Sequence, residues 1–303
     1  MATIRTSELP DVREIRRHYD QLSSLYARFW GEHIHHGYWR DDSIDDAAPV
    51  VAQERLVAEL ARRANIRHGA KVLDLGCGIG GSSSWLARHL GCSVVGITIS
   101  PVQARLAESR VRRHGVGDRV RIVVGDMNSL HLTERFDVAW IVESSEHVRN
   151  KAALFRTLST AINSSGVVAI GAWLSAESLD NRDRRAVNDV CRGMLCPNLG
   201  RMSEYVEWLE QAGFAVESAD DITPNVARTW VHCTETAKRP AVRAILHFAD
   251  SQTRRFVETF PIMTKAYEIG AMRYGMLVAR KMRYFRRRPA MRSSAELQPA
   301  SKG

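Results

Sequence analysis

Five short stretches concentrate the residue types that do chemistry. VLDLGCGIGGSS places Gly76, Gly78 and Gly81 as G-x-G-x-x-G directly after Asp74, and such a turn lets backbone approach a ligand closely. GITISPVQ follows with Thr98, Ile99 and Gln103, VVGDMN with Asp126 and Met127, and ESSEHV with Glu143, Glu146 and His147. Upstream, FWGEHIHHGYW, from Phe29 to Trp39, carries His33, His35 and His36 among four aromatic residues. Dinucleotides, flavins and S-adenosylmethionine all use a glycine turn of this kind, so its neighbours must choose between them.

A nicotinamide dinucleotide needs an acid at the end of the second strand for its ribose, about twenty residues after the turn. That place reads GITIS, without one. A pyrophosphate also gains nothing from Asp74 just before the turn, whereas a ligand with an ammonium and a sulfonium does. The residues therefore favour S-adenosylmethionine, with Asp74, Gly76, Cys77 and Gly78 around its methionine portion. In GITISPVQ, Ser100, Pro101 and Gln103 read as a helix cap and capping box. Thr98 and Gln103 also stand where they can hydrogen-bond ribose hydroxyls.

The elements that must position these groups have a clear rhythm. KVLDL, CSVVGI, VRIVVG, FDVAWIV and GVVAIGAW are short apolar, β-branched runs separated by helical stretches at 82–90, 101–114 and 150–162. That alternation predicts βαβ units and a parallel sheet covered on both faces. A helix over 11–30 has Val12, Ile15, His18 or Tyr19, Leu22 and Tyr26 at helical spacing, and a second covers roughly 46–66. Helices at 181–194 and 203–212, strands FAVESAD and RYGMLVARK, and a helical 224–268 complete the pattern. The segments 11–43, 174–200 and 224–268 interrupt the alternation, and the expectation is a cap over the sheet's ligand edge within one domain, 11–282. Residues 1–10 read as a flexible start.

The composition, 45% apolar and 25% charged, is that of a globular protein. The net charge of +9 is concentrated at one end: from Arg280 onward eight cations stand against one carboxylate, Glu296. The rest is near neutral, so 283–303 reads as a solvated basic tail, not a nucleic-acid arm. Five scattered cysteines without paired spacing, no apolar leader and no long apolar run point to a cytoplasmic protein without a membrane span. Self-association into a homo-oligomer is left open.

WGEHIHHGYW upstream, GCGIGGSS after the first strand, SPVQ after the second and ESSEHV after the fourth, in this order, together resemble the γ-tocopherol methyltransferase-like family of class I S-adenosylmethionine-dependent methyltransferases, which is related to the sterol methyltransferases. The resemblance runs from about Tyr19 to Lys281, taking in NVARTW and MTKAYEIGAMRYGMLVARK. It implies a Rossmann-like α/β fold whose seven-stranded, mostly parallel sheet ends in an antiparallel strand beneath a helical cap. It implies Asp74, Gly76 and Gly78 on the methionine part of the cofactor, Thr98, Ile99 and Gln103 near its ribose, and Asp126 with Met127 beside adenine. INSSGVV stands where the family commonly has a proline-glycine-glycine turn before the fifth strand, and GAWLS where it has a TWC-like strand end.

The histidine stretch admits three readings: a metal site, a core turn, or a pocket wall. No carboxylate pair or cysteine nearby completes a metal set, so none is expected. The resemblance favours the wall, with His35, Gly37 and Tyr26 nearest the cofactor. Methyl transfer needs alignment and exclusion of water, and the base candidates are Glu143, Glu146 and His147. A phenol or amine acceptor would give its proton to one of them, and an alkene would leave a carbocation for aromatic faces and a carboxylate to stabilise. Trp30, Trp39, Trp173, Met194, Leu195, Trp230, Val231, Phe248, Phe260 and Met263 supply apolar surface for a hydrophobic aromatic, prenylated or terpenoid-like substrate, with transfer to carbon favoured.

Overall fold

The β-branched runs form strands where their pattern places them: β1 (Lys71–Leu75), β2 (Ser93–Thr98), β3 (Val120–Val124), β4 (Phe136–Val142), β5 (Ile162–Ser175), β6 (Phe214–Asp221) and β7 (Met272–Lys281). The structure is a computed structural model that describes residues 9–40 and 45–283, apart from the side chains of Leu25, Tyr26, Phe29 and Ile245. The expected N-terminal segment therefore falls outside the described residues up to residue 8, and the expected tail from residue 284.

Among the described residues seven strands form one sheet in the order β3-β2-β1-β4-β5-β7-β6. β1 pairs in parallel with β2 and β4, Asp74 lying opposite Gly96 on one side and Trp140 on the other. β7 alone runs antiparallel, between β5 and β6. The order reverses at β1 and β4, and in open sheets the crevice beyond the strand ends at such a point takes the ligand.

Alternation along each strand divides the core between the two faces. Val72, Val94, Val138 and Ala169 pack on one side, and Leu73, Leu75, Ile97, Ala139, Ile141 and Val168 on the other. Helices α1 (Val12–Phe29), α2 (Pro49–Arg63), α3 (Gly81–Leu90), α4 (Pro101–Arg113), α5 (Lys151–Ala161), α6 (Asn181–Gly193) and α7 (Met202–Gln211) precede a run of five: α8 (Thr223–Val226), α9 (Arg228–Lys238), α10 (Pro240–His247), α11 (Ser251–Glu258) and α12 (Phe260–Glu268). α12 packs on α9 and α6, and α1 lies against α4 and α11.

Two local expectations change. Ser100 accepts the Gln103 N–H at 3.0 Å as a cap should, but Gln103 does not close the capping box, because its Oε1 accepts the Thr98 hydroxyl at 2.6 Å. INSSG is not a turn before the fifth strand. It is extended and belongs to β5, with the register slipping between Phe136↔Ile162 and Val138↔Val167. Gly166 permits that slip, since a Cβ there would meet the Asp137 carbonyl at 2.7 Å.

Candidate active site

The glycine turn is built by backbone that other residues resist. Gly76, Gly78 and Gly80 take φ of +73°, +53° and +81°, a region that costs an L-residue strain. Gly76 also makes room for Ser144, whose Cβ would lie 2.3 Å from a Cβ at 76 and whose hydroxyl donates to the Leu75 carbonyl at 2.6 Å. Beyond the turn no side chain caps α3.

A cavity opens over this turn at the ends of β1, β2 and β4. Asp74, Gly76, Cys77, Gly78, Thr98, Ile99, Gln103, Asp126, Met127 and His35 all line it, as do Glu143 and His147. Asp74 is 2% exposed and accepts the Ser83 hydroxyl at 2.6 Å. Burial pushes its pKa up to about 7, the Ser83 bond opposing the shift. A carboxylate so placed is stabilised most by a cationic ligand group. The Thr98 hydroxyl is spent on Gln103 and its oxygen accepts the Ser100 N–H at 3.3 Å. The Gln103 amide nitrogen lies 3.9 Å from where a Cβ on Gly78 would stand. Asp126 caps the short helical turn Met127–Ser129, both bonds landing on Oδ1. It is thus turn cap and cavity wall together.

The histidine stretch forms the opposite wall. His33 and His35 bond to each other, Nδ1 to Nε2, at 3.0 Å, and Gln53 from α2 donates to the His33 and His35 carbonyls at 3.0 and 3.2 Å. Burial lowers the pKa of both rings. Among the described residues no group of three or more His, Cys, Asp or Glu is arranged to hold a metal ion. Gly37 departs from its expected place: it lines neither cavity, its N–H donates to Thr229 at 3.0 Å, and a Cβ there would strike the Trp39 ring at 2.6 Å. Its smallness serves the packing of Trp39. The Tyr26 side chain lies outside the described residues.

A second cavity adjoins the first, and Tyr19, Ile34, His35, Glu143 and His147 line both. Its remaining wall includes Trp30, Trp173, Met194, Trp230, Phe256, Phe260 and Glu146. Of the other residues expected there, Trp39 is fully buried elsewhere and stacks on His232. Val231 and Phe248 are exposed, the latter by 88%, and Met263 is core. Leu195 contributes a carbonyl instead of a side chain.

The three acid–base candidates separate by environment. Glu143, at φ +48°, accepts the His36 N–H at 2.7 Å, His36 Nδ1–H at 3.0 Å and the Tyr274 hydroxyl at 3.0 Å. Burial pushes its pKa up, but His36 and His35 outweigh it and hold the carboxyl below the usual range. It is a fixed anion that ties the wall to β4. His147 donates from Nδ1 to the Leu195 carbonyl at 3.0 Å, so Nε2 is left to accept the Tyr19 hydroxyl at 2.7 Å. Burial lowers its pKa to about 4, so the ring is neutral. Glu146 accepts the Trp173 N–H through Oε1 at 2.5 Å, while Oε2 has no protein partner. Burial raises its pKa well above the carboxylate range, and nearby Lys151 is saturated by Val148 and Asn198.

Sequence reasoning placed Tyr19 as a helical core position and overlooked Ile34 and Ser144. A tyrosine on an amphipathic face carries no motif, and its bond to His147 spans 128 positions.

With this geometry the chain matches, over residues 6–273, the family model described as mycolic acid cyclopropane synthetase. It is similar to the 27-O-demethylrifamycin SV methyltransferase of Amycolatopsis mediterranei, 30% identical over 90% of this chain and 98% of that one. It is similar too to the chloroplastic tocopherol O-methyltransferase of Arabidopsis thaliana, 29% identical over 88% of this chain and 81% of that one. Among solved structures, the cyclopropane synthase MmaA2 from Mycobacterium tuberculosis superposes with a TM-score of 0.79 at 17% identity, covering 90% of this chain and 99% of that one.

Proposed function

Given that the chain belongs to the mycolic acid cyclopropane synthetase family and is a class I S-adenosylmethionine-dependent methyltransferase, we propose that it methylates a hydrophobic aromatic, prenylated or terpenoid-like small molecule, at carbon. The observation that carries this reading is the pair of adjoining cavities: one around Asp74 and the glycine turn, the other aromatic and holding the buried carboxyl of Glu146, with a shared wall of Tyr19, Ile34, His35, Glu143 and His147.

The residues of the first cavity fit S-adenosylmethionine, because buried Asp74 offers negative charge where the cofactor brings its cationic end. The cofactor supplies a methyl group already activated on sulfonium. Asp74, Gly76, Cys77 and Gly78 would hold the methionine portion, Thr98, Ile99 and Gln103 would serve the ribose, and Asp126 with Met127 the adenine. Tyr19 and His35 close over the junction and exclude water, which strengthens every charge inside. His147, neutral and pinned by Leu195, holds the Tyr19 hydroxyl in place. Glu146, with Oε2 free and its pKa raised by burial to about 8, takes the proton the acceptor releases through its ionised form, whose share grows as pH rises towards 8. The rings of Trp173 and Trp230, 5.7 Å apart, offer π-faces to positive charge developing on carbon.

Transfer to oxygen is the second reading. Glu146 would serve it equally, and the Arabidopsis relative is named for O-transfer. Incubation with methyl-labelled cofactor and a panel of prenylated aromatics, indoles and terpenes tests both: label should enter apolar acceptors, and the chemical shift of the new methyl distinguishes C–CH3 from O–CH3. Label confined to polar metabolites, or to none, would refute the substrate assignment. We read residues 11–282 as one methyltransferase domain and the protein as cytoplasmic. Five free, buried cysteines support a reducing compartment, and among the described residues no helix is long and apolar enough to cross a membrane.

A further inference from the structure

Buried polar atoms nearly always find partners, so a group of them left without one in a single cavity describes a ligand. Among the residues that line the acceptor cavity, Glu146 Oε2, Trp173 Nε1, Trp230 Nε1 and His18 Nδ1 have no protein partner. Glu146 and His18 are 2% and 3% exposed. The first two belong to one wall, because the Trp173 backbone N–H already holds the other Glu146 oxygen at 2.5 Å. His18 comes from α1, its ring edge-on to Phe256 at 4.9 Å, and burial keeps it neutral. Among the described residues no lysine or arginine lines this cavity. Most of the remaining surface is ring and hydrocarbon.

These facts set three conditions on the occupant. It must accept a hydrogen bond from the Trp173 indole N–H, the one whose residue already holds Glu146, and it must exchange one with a carboxyl oxygen. It must also be mostly apolar. A bare hydrocarbon leaves both groups unsatisfied, which is costly in a low-dielectric site. A phosphate or diphosphate meets no cation there. A hydroxyl donates and accepts at once.

We propose that the methyl acceptor is an apolar alcohol or phenol whose hydroxyl sits between Glu146 Oε2 and Trp173 Nε1, its hydrocarbon body filling the aromatic remainder. This rests on the methyltransferase reading only for the word acceptor; the binding preference stands on the cavity alone.

Two matched pairs test it: 1-naphthol against naphthalene, and geraniol against myrcene. Their affinities are measured by equilibrium dialysis on the full chain, with and without saturating S-adenosylhomocysteine, after calorimetry has established binding of that cofactor product. Each alcohol should bind about tenfold or more tightly than its hydrocarbon. Trp173→Phe should bring the pair within about twofold by weakening the alcohol alone, and Glu146→Gln should narrow the gap independently, should the first variant fold poorly. Equal affinity of alcohol and hydrocarbon in the wild type, a preference that survives both variants, or no binding of either alcohol would overturn the proposal. Absent heat with S-adenosylhomocysteine would strike the methyltransferase reading instead, leaving the preference to be judged from the dialysis without it.

Discussion

Asp74 couples cofactor binding to pH. Its folded-state pKa of about 7 stands above the ordinary 3.8, so between those values the folded protein holds a proton that the unfolded chain has released. Ligand-free stability therefore falls as pH rises through that window. A bound cation reverses the preference, since it favours the ionised carboxylate. Affinity for S-adenosylhomocysteine should accordingly climb from pH 5 to pH 8, with proton release near pH 6 detectable by calorimetry in buffers of different ionisation heat. A flat profile would mean that Asp74 is not beside the ligand's charge. Glu146 lines only the second cavity, so Glu146→Gln should cut turnover by about 10²–10⁴ and leave cofactor affinity unaltered. Equal losses in both would place the glutamate at the cofactor. Gly76→Ala forces a Cβ into the left-handed region and against Ser144. It should cost about 1–3 kcal/mol or more, read as a melting point lowered by about 2–4 °C per kcal/mol, together with lost cofactor binding.

At the scale of elements, the wall segment 30–39 has almost no regular structure of its own and is held by the elements around it, Thr229 of α9 and Asn225 of α8 among them. Gln53 reaches it from α2, and Glu143 from the end of β4. From α4, Arg110 donates to the Glu32 carbonyl at 2.9 Å and to the Ile79 carbonyl in the glycine turn. A 6%-exposed guanidinium thus latches the wall to the turn. Removing it leaves two carbonyls short of a donor, about 1–3 kcal/mol each if they stay buried. We expect Arg110→Met to weaken S-adenosylhomocysteine binding about tenfold, with turnover at saturating cofactor little changed. A fall in turnover alone would show that the latch acts on chemistry. On the other side, Asp20 of α1 accepts the Ser100 hydroxyl at 2.5 Å, so the helix carrying Tyr19 is fastened to the cap of the helix below the ribose side.

Across the whole molecule the parallel half of the sheet makes the crevice, and the helices between β6 and β7, with α1 and α6, enclose the acceptor side. The charge distribution is a molecular property too. Most of the +9 lies from Arg280 onward, in residues that extend beyond the described structure. Deletion of residues 286–303 should leave methyl transfer unchanged at physiological salt, measured as release of labelled product. A loss of activity would give that basic segment a part in the reaction.

The strands, the order of helices and the gathering into one cavity of ten residues expected at the cofactor were legible in the sequence, some from a local cause and Ile99, Met127 and His35 from the family resemblance. Period-two apolar runs make buried strands, glycine reaches positive φ, and Asp74 and Asp126 sit at strand ends fixed by their neighbours in the chain. Tertiary structure alone decided what those side chains do. That the Gln103 side chain answers Thr98 and not Ser100, that His36 and Tyr274 hold Glu143 as an anion while burial keeps Glu146 protonatable, and that Gly37 yields to Trp39 all depend on partners up to 131 positions apart. Sequence spacing sets where a residue stands on its element. Which of three neighbouring acids and bases stays available is set by burial and by hydrogen bonds that only the folded chain brings into reach.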